Sequence, residues 1–201
     1  QFHIGHLRNL ALGESLVRLL ESQGAVVIRA NYQGDVGLHV AKALFGIKQK
    51  LKTDGLKLED LEAQPLADRI AFLGMAYAAG HTAYETPGAN RAAVMRLNKK
   101  IYNRDRSVLK LWLMTRAWSL AYFDGIYQRL GAHFDRFYFE SEVFANGMLI
   151  AKDALKAKIL KVSQGAVVFD GAPYGLDTRV FITSRGLPTY EAKELGLARL
   201  E

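Results

Sequence analysis

The chain contains no cysteine and no long run of apolar residues. Without cysteine, neither a disulfide nor a zinc site with thiolate ligands can form. No apolar stretch is long enough to cross a bilayer, and the first residues lack the pattern of a signal peptide. We therefore expect no membrane partner, and we predict a cytoplasmic location.

Repeats, low-complexity segments and signs of disorder are also missing from the sequence. Half of the 201 residues are apolar, which is enough for one sizeable core or for a core and a small helical lobe. The formal net charge is +7. An excess of this size favours a polyanionic partner such as RNA or ATP. A basic globular domain without a nucleic-acid role fits the charge alone equally well.

The first part of the chain has the pattern of a nucleotide-binding α/β fold. Residues 5–22 form a predicted helix with an apolar stripe, and a buried strand over residues 25–32 and a helix over residues 35–46 follow. The stripe consists of Leu12, Leu16, Leu19 and Leu20. This order of elements is typical of a doubly wound parallel sheet, which binds nucleotides at the carboxyl ends of its strands. For such a sheet we expect a further strand ahead of His3, which this sequence does not include.

The rest of the chain is predicted to hold a helical insertion and further pieces of the sheet. Residues 48–63 are polar and indicate a loop. The remaining predicted helices cover residues 66–81, 87–102, 105–131 (capped by Asp105), 147–160 and a last segment with Tyr190 and Glu194; the predicted strands cover 134–139, 166–170 and 179–183. In the helix after Asp105, the predicted apolar face comprises Leu109, Leu113, Leu120 and Phe123, and Trp112, Trp118 and Tyr122 add bulk to it. We predict an α/β fold with an incomplete doubly wound, Rossmann-like parallel sheet and a helical insertion.

The strongest motif is His3-Ile4-Gly5-His6 at the start of the first predicted helix. Gly5 lets a ligand approach the backbone, and the free N–H groups of a first helical turn face anionic oxygens. Two imidazoles add donors for a phosphate. Taken alone, the pair also fits a surface pair or two ligands of a metal. We predict no metal site, because the other histidines show no ligand spacing. They are His39, His81 and His133.

This motif resembles the ATP signature of class I aminoacyl-tRNA synthetases. Together with the sequence of residues 27–37, which includes Asn31-Tyr32-Gln33-Gly34-Asp35, residues 2–8 are similar to arginyl-tRNA synthetase in particular. The resemblance implies that His3 and His6 are catalytic and that they bind ATP together with Gly5. It also implies a division into the first part of a Rossmann-like domain (1–47), a helical connective insertion (48–104) and the remainder of a catalytic-domain fragment (105–201).

The same resemblance implies a site for the arginine substrate. The residues Phe139-Glu140-Ser141-Glu142 resemble the family's carboxylate strand, and Leu187-Pro188-Thr189-Tyr190 resembles a threonine-tyrosine pair at a helix start. Glu194 stands where most members have aspartate. The implied arginine-binding residues are Tyr32, Asp35, Glu140, Tyr190 and Glu194. Two acids can grip the planar guanidinium, and a tyrosine can pack on it. Without the resemblance, the acids fit solvated strand-end and helix-surface charges, and Asp35 fits a helix cap.

The implied activity is that of an arginine–tRNA ligase, which activates arginine as its adenylate with ATP and Mg²⁺ and transfers it to tRNA specific for arginine. We expect a monomer without a tightly bound cofactor. Because the motif begins at residue 3, the chain resembles a piece of that enzyme, and we expect it to be weakly active or inactive alone. Two alternatives remain: another adenylyl transferase of the same superfamily, and a non-catalytic module that binds tRNA or a protein partner. In each enzymatic case, we expect the imidazoles and the acids to line one cleft.

Overall fold

The structure is a computed structural model that describes residues 2–200 in two compact units. Within the described residues, unit 1 comprises 2–31 and 36–136, and unit 2 comprises 32–35 and 137–200. The helices are α1 (Ile4–Ser22), α2 (Leu38–Asp54), α3 (Leu58–Glu62), α4 (Leu66–Glu85), α5 (Ala89–Tyr102), α6 (Arg106–Arg129), α7 (Glu140–Lys156) and α8 (Tyr190–Leu197). The strands are β1 (Ala30–Gln33), β2 (Arg136–Phe139), β3 (Lys161–Ser163), β4 (Ala166–Phe169) and β5 (Arg179–Ile182). Within residues 2–200, no helix is both long and apolar enough to span a membrane.

In unit 1, α2 and α4 pack closely because each has a glycine at the crossing. A Cβ at Gly46 would lie 1.8 Å from the carbonyl oxygen of Ala76, and one at Gly80 would lie 1.9 Å from that of Lys42. The buried ammonium of Lys42 adds a polar link, since it lies 3.1 Å from a carboxylate oxygen of Glu85. The close crossing therefore requires glycine, which has no Cβ, at both positions.

The helix α6 begins as predicted, with a side-chain oxygen of Asp105 accepting a hydrogen bond from the backbone N–H of Ser107 at 2.8 Å. Of its predicted apolar residues, Trp112 and Trp118 are buried, whereas Leu113 is exposed. The buried residues are Val108, Leu111, Trp112, Thr115 and Trp118. Apolar residues extend around much of this helix, so periodicity alone could not select the face that is buried.

The predicted packing of the first helix and strand is wrong for this structure. The helix forms, but none of its described residues is buried, and Leu16 is 61% exposed. The strand begins only at Ala30, and Val26 before it is 97% exposed. Polar contacts hold α1 instead. The guanidinium of Arg29 lies 2.7 Å from a Glu21 carboxylate oxygen and 3.4 Å from one of Glu14.

The loop predicted over residues 48–63 is mostly helical. The helix α2 continues to Asp54 and ends at Gly55, whose φ of 67° is left-handed and favours glycine. The short helix α3 follows. The polar composition of this segment reflects a largely exposed surface rather than an absence of secondary structure.

Unit 2 contains the antiparallel sheet β3–β4–β5 and the helix pair α7–α8, and β1 pairs with β2 in a separate two-stranded sheet. The strand β3 is not among the predicted elements. Glycine again permits a close crossing of helices: a Cβ at Gly147 would lie 1.8 Å from the carbonyl oxygen of Ala192, and one at Gly196 would lie 2.2 Å from that of Val143. The predicted helix start at residue 147 is wrong, because α7 begins at Glu140 directly after β2.

Candidate active-site residues

His3 and His6 form a reciprocal cap at the start of α1. The Nδ1 atom of His3 accepts a hydrogen bond from the backbone N–H of Gly5 at 3.0 Å, and that of His6 accepts one from the N–H of His3 at 3.2 Å. The ring centroids are 3.9 Å apart. Gly5 makes room for this arrangement, since a Cβ there would lie 2.9 Å from Cε1 of His3.

The cap sets the tautomer of both rings. An Nδ1 atom that accepts a hydrogen bond carries no proton, so each neutral ring carries its proton on Nε2. Both side chains are exposed, and their Nε2–H groups are therefore donors at the N-terminus of α1, where the helix dipole favours an anion. The expectation of free backbone donors is not met at Gly5 and His6, because the N–H groups of both are already bonded to His3. This arrangement suits a phosphate group better than a metal ion. Among residues 2–200, no group of three or more metal-ligating side chains is assembled.

We expect the cap to weaken as the pH falls. Burial and the neighbouring His3 lower the pKa of His6, so the folded state favours the neutral ring. This contribution to stability is present above the unfolded pKa, about 6.5, and is lost as the pH falls through the lowered folded value. NMR titration should give a lower midpoint for His6 in the folded chain than in urea. An equal or higher midpoint in the folded chain would contradict the cap.

The predicted arginine-binding residues Tyr32, Glu140, Tyr190 and Glu194 come together within unit 2, and we call these four the acidic cluster. Glu140 is the first residue of α7 and only 5% exposed, not a solvated strand end. Tyr190 and Glu194 lie one turn apart on α8. Tyr32 lies in β1, where its ring packs on buried Tyr138, Val143 and Leu197.

The acidic cluster holds acceptors that nothing satisfies. Three buried side-chain atoms have no hydrogen-bond partner: the Tyr32 hydroxyl, Oε2 of Glu140 and Oε1 of Glu194. Burial and the carboxylates of Glu140 and Glu194 raise the pKa of the Tyr32 phenol. Burial, a hydrogen bond to Glu194 and both carboxylates likewise raise the pKa of Tyr190. Both phenols therefore stay protonated beside two carboxylates, and unsatisfied buried acceptors of this kind call for a cationic donor.

Asp35 has a different environment from the acidic cluster. Its two carboxylate oxygens accept hydrogen bonds from the backbone N–H of Ser141 at 2.8 Å and from the Ser141 hydroxyl at 2.7 Å. These hydrogen bonds secure the first turn of α7 and with it the backbone next to Glu140.

Sequence reasoning missed Lys193, which pairs with Glu140. The ammonium of Lys193 lies 2.6 Å from Oε1 of Glu140, and the lysine is 7% exposed. The one signal in the sequence is its place on α8. Lys193 shares the inward face with Ala192, Gly196 and Leu197, where a charge needs a buried partner.

Comparison with known proteins identifies the family. Residues 1–200 match the model for the catalytic domain of class I (R) tRNA synthetases. Arginine–tRNA ligase of Bdellovibrio bacteriovorus is 30% identical over 205 residues, covering 99% of this chain and 34% of that protein. The ligase of Treponema denticola is 32% identical over 199 residues, covering 98% and 33%. The chain thus spans about a third of the length of these relatives.

A solved structure gives the same result for the fold. The crystal structure of arginyl-tRNA synthetase from Plasmodium falciparum superposes with a TM-score of 0.70 at 21% identity, covering 98% of this chain and 32% of that one. The predicted fold class, an incomplete α/β Rossmann-like fold with added helices, is confirmed. The division into segments 1–47, 48–104 and 105–201 stays a prediction. One assignment follows from the match along residues 1–200, together with the capped histidine pair and the acidic cluster. This chain belongs to the family of class I (R) tRNA synthetase catalytic domains.

Proposed function

We propose that the acidic cluster binds the guanidinium group of arginine and that the protein containing this chain is an arginine–tRNA ligase. Three unsatisfied buried oxygens carry this proposal. A guanidinium has five N–H donors in a planar fork, so it can reach oxygens on different side chains at once. An ammonium is a compact point charge and serves such a divided set of acceptors less well.

The two carboxylates supply the charge for this recognition. Oε2 of Glu140 and Oε1 of Glu194 are the acceptors that the ligand satisfies, and the Tyr32 hydroxyl adds a neutral one. Tyr190 is 59% exposed, and its ring is placed to cover the ligand. Asp35 acts in support through its hydrogen bonds to Ser141. Bound arginine therefore meets groups that are already held in place.

We propose that His3 and His6 act on ATP, which binds as its Mg²⁺ complex. The arginine carboxylate attacks the α-phosphorus, the bond to the bridging oxygen breaks, and pyrophosphate leaves. Negative charge on the phosphate oxygens is stabilised by the Nε2–H donors and by the first turn of α1. A hydroxyl of tRNA then attacks the arginyl carbonyl of the adenylate, and AMP leaves. The net charge of +7 favours binding of that polyanion.

Ligand selectivity tests the assignment of the acidic cluster. We expect L-arginine to bind the chain at least about 100-fold more tightly than L-citrulline, because the neutral analogue leaves buried carboxylates without a cation. L-Lysine should also bind more weakly than L-arginine. Isothermal titration calorimetry with the three amino acids measures this order. Equal binding of citrulline and arginine, or no binding of arginine, would refute the proposal.

A further inference from the structure

The two carboxylate oxygens of Glu140 have different surroundings: one pairs with Lys193, and the other is left for a ligand. The ammonium of Lys193 is 2.6 Å from Oε1, whereas Oε2 is buried without a hydrogen-bond partner. Both side chains are less than a tenth exposed, so water screens the pair only weakly. A lysine ammonium pairs with one oxygen as a point charge, and an arginine at the same place would favour both oxygens.

The acidic cluster carries more negative charge than Lys193 offsets. The carboxylates of Glu140, Glu194 and Asp35 all act on the Tyr32 hydroxyl, and Lys193 pairs with Glu140 alone. The hydrogen bonds that Asp35 accepts from Ser141 come from neutral groups and leave its charge in place. The other polar side chains on these elements are the phenols Tyr138 on β2 and Tyr190 on α8, and the acids Glu142 on α7 and Glu191 on α8. A cationic ligand therefore fits the excess of negative charge.

We propose that Lys193 is a positioning residue whose ammonium holds Oε1 of Glu140 and so turns Oε2 toward the ligand. This inference rests on the proposed function, since it takes the guanidinium of arginine as that ligand. Lys193 occupies Oε1 and leaves Oε2 as the acceptor for a cation. Arginine then binds without any change in protonation.

Removal of the lysine charge makes binding depend on protons. In Lys193→Met, two buried carboxylates share the empty site without a cation, and this arrangement favours uptake of a proton by one of them. Arginine must displace that proton. If Lys193 positions Glu140, binding of arginine should therefore release a proton in the variant and none in the natural chain. A lysine that serves only packing predicts weaker binding with no such release.

The test is calorimetric titration with L-arginine between pH 6 and pH 8, in two buffers of different ionisation enthalpy. For Lys193→Met we expect affinity at least about 10-fold weaker at pH 6, partial recovery at pH 8 and release of up to about one proton per arginine. Lys193→Arg retains the charge and should bind without proton release. Uniform weakening without proton release in Lys193→Met, or equal release in both variants, would overturn the proposal.

Two controls keep the result decisive. Lys193→Gln retains a hydrogen-bond donor and replaces Lys193→Met if hydrogen exchange shows that α7 and α8 have lost protection in the methionine variant. The natural chain provides a test that needs no variant, because release or uptake of half a proton or more would itself contradict the proposal. Absence of arginine binding to the natural chain would instead refute the proposed function.

Discussion

The Gly147→Ala variant should lose about 3 kcal/mol or more of stability in unit 2. The new Cβ would lie 1.8 Å from the carbonyl oxygen of Ala192, far inside van der Waals contact. The obstacle is backbone, which no change of rotamer can move away. The helices α7 and α8 must therefore separate, and Glu140 and Glu194 must move with them. Hydrogen exchange should show loss of amide protection over Glu140–Lys156 and Tyr190–Leu197.

Gly125→Ala is the matched control for this prediction. Gly125 also lies within a helix, but a Cβ there would meet no atom within 4 Å. Alanine has the higher helix propensity, so this variant should gain about 0.5–1 kcal/mol. If the two glycine-to-alanine substitutions change the stability with opposite signs, the loss in Gly147→Ala arises at the helix crossing. Similar protection of α7 and α8 in the two variants would contradict the close crossing.

The sequence predicted local elements well where a cap or a motif marks them. Asp105 indicated the start of α6, and the reciprocal histidine cap lies in the motif that the sequence singled out. Packing was harder to predict. The leucines of α1 have helical spacing, yet Leu16 remains exposed, because periodicity identifies an apolar face without identifying its neighbour.

The acidic cluster shows a similar limit. Family resemblance brought Glu140 and Glu194 to attention, although the spacing of 54 residues between them carries no information about distance in space. Their approach depends on Gly147 and Gly196, whose importance becomes visible only when the two helices cross. The buried pair of Lys193 with Glu140 was not predicted, because a lysine beside a glutamate on a short helix normally indicates a solvated surface.

The Glu194→Gln variant should bind L-arginine about 30- to 150-fold more weakly than the natural chain. Oε1 of Glu194 is buried without a partner, so the ligand would make its hydrogen bond to a charged acceptor there. Loss of that charge removes about 2–3 kcal/mol of interaction, and an amide of the same shape leaves α8 intact. Unlike Glu140, Glu194 does not share the Lys193 ion pair, so its replacement leaves no buried ammonium uncompensated.

Glu142→Gln provides the comparison within the same unit. Glu142 is exposed and its carboxylate accepts the backbone N–H of Phe139 at 3.2 Å, which an amide oxygen can also do. We expect its arginine affinity to stay within about twofold of the natural chain, because an exposed charge is screened by water and salt. Calorimetric titration with L-arginine measures both variants. If Glu194→Gln and Glu142→Gln weakened binding equally, general negative charge rather than a buried acceptor on α8 would account for recognition of the cation.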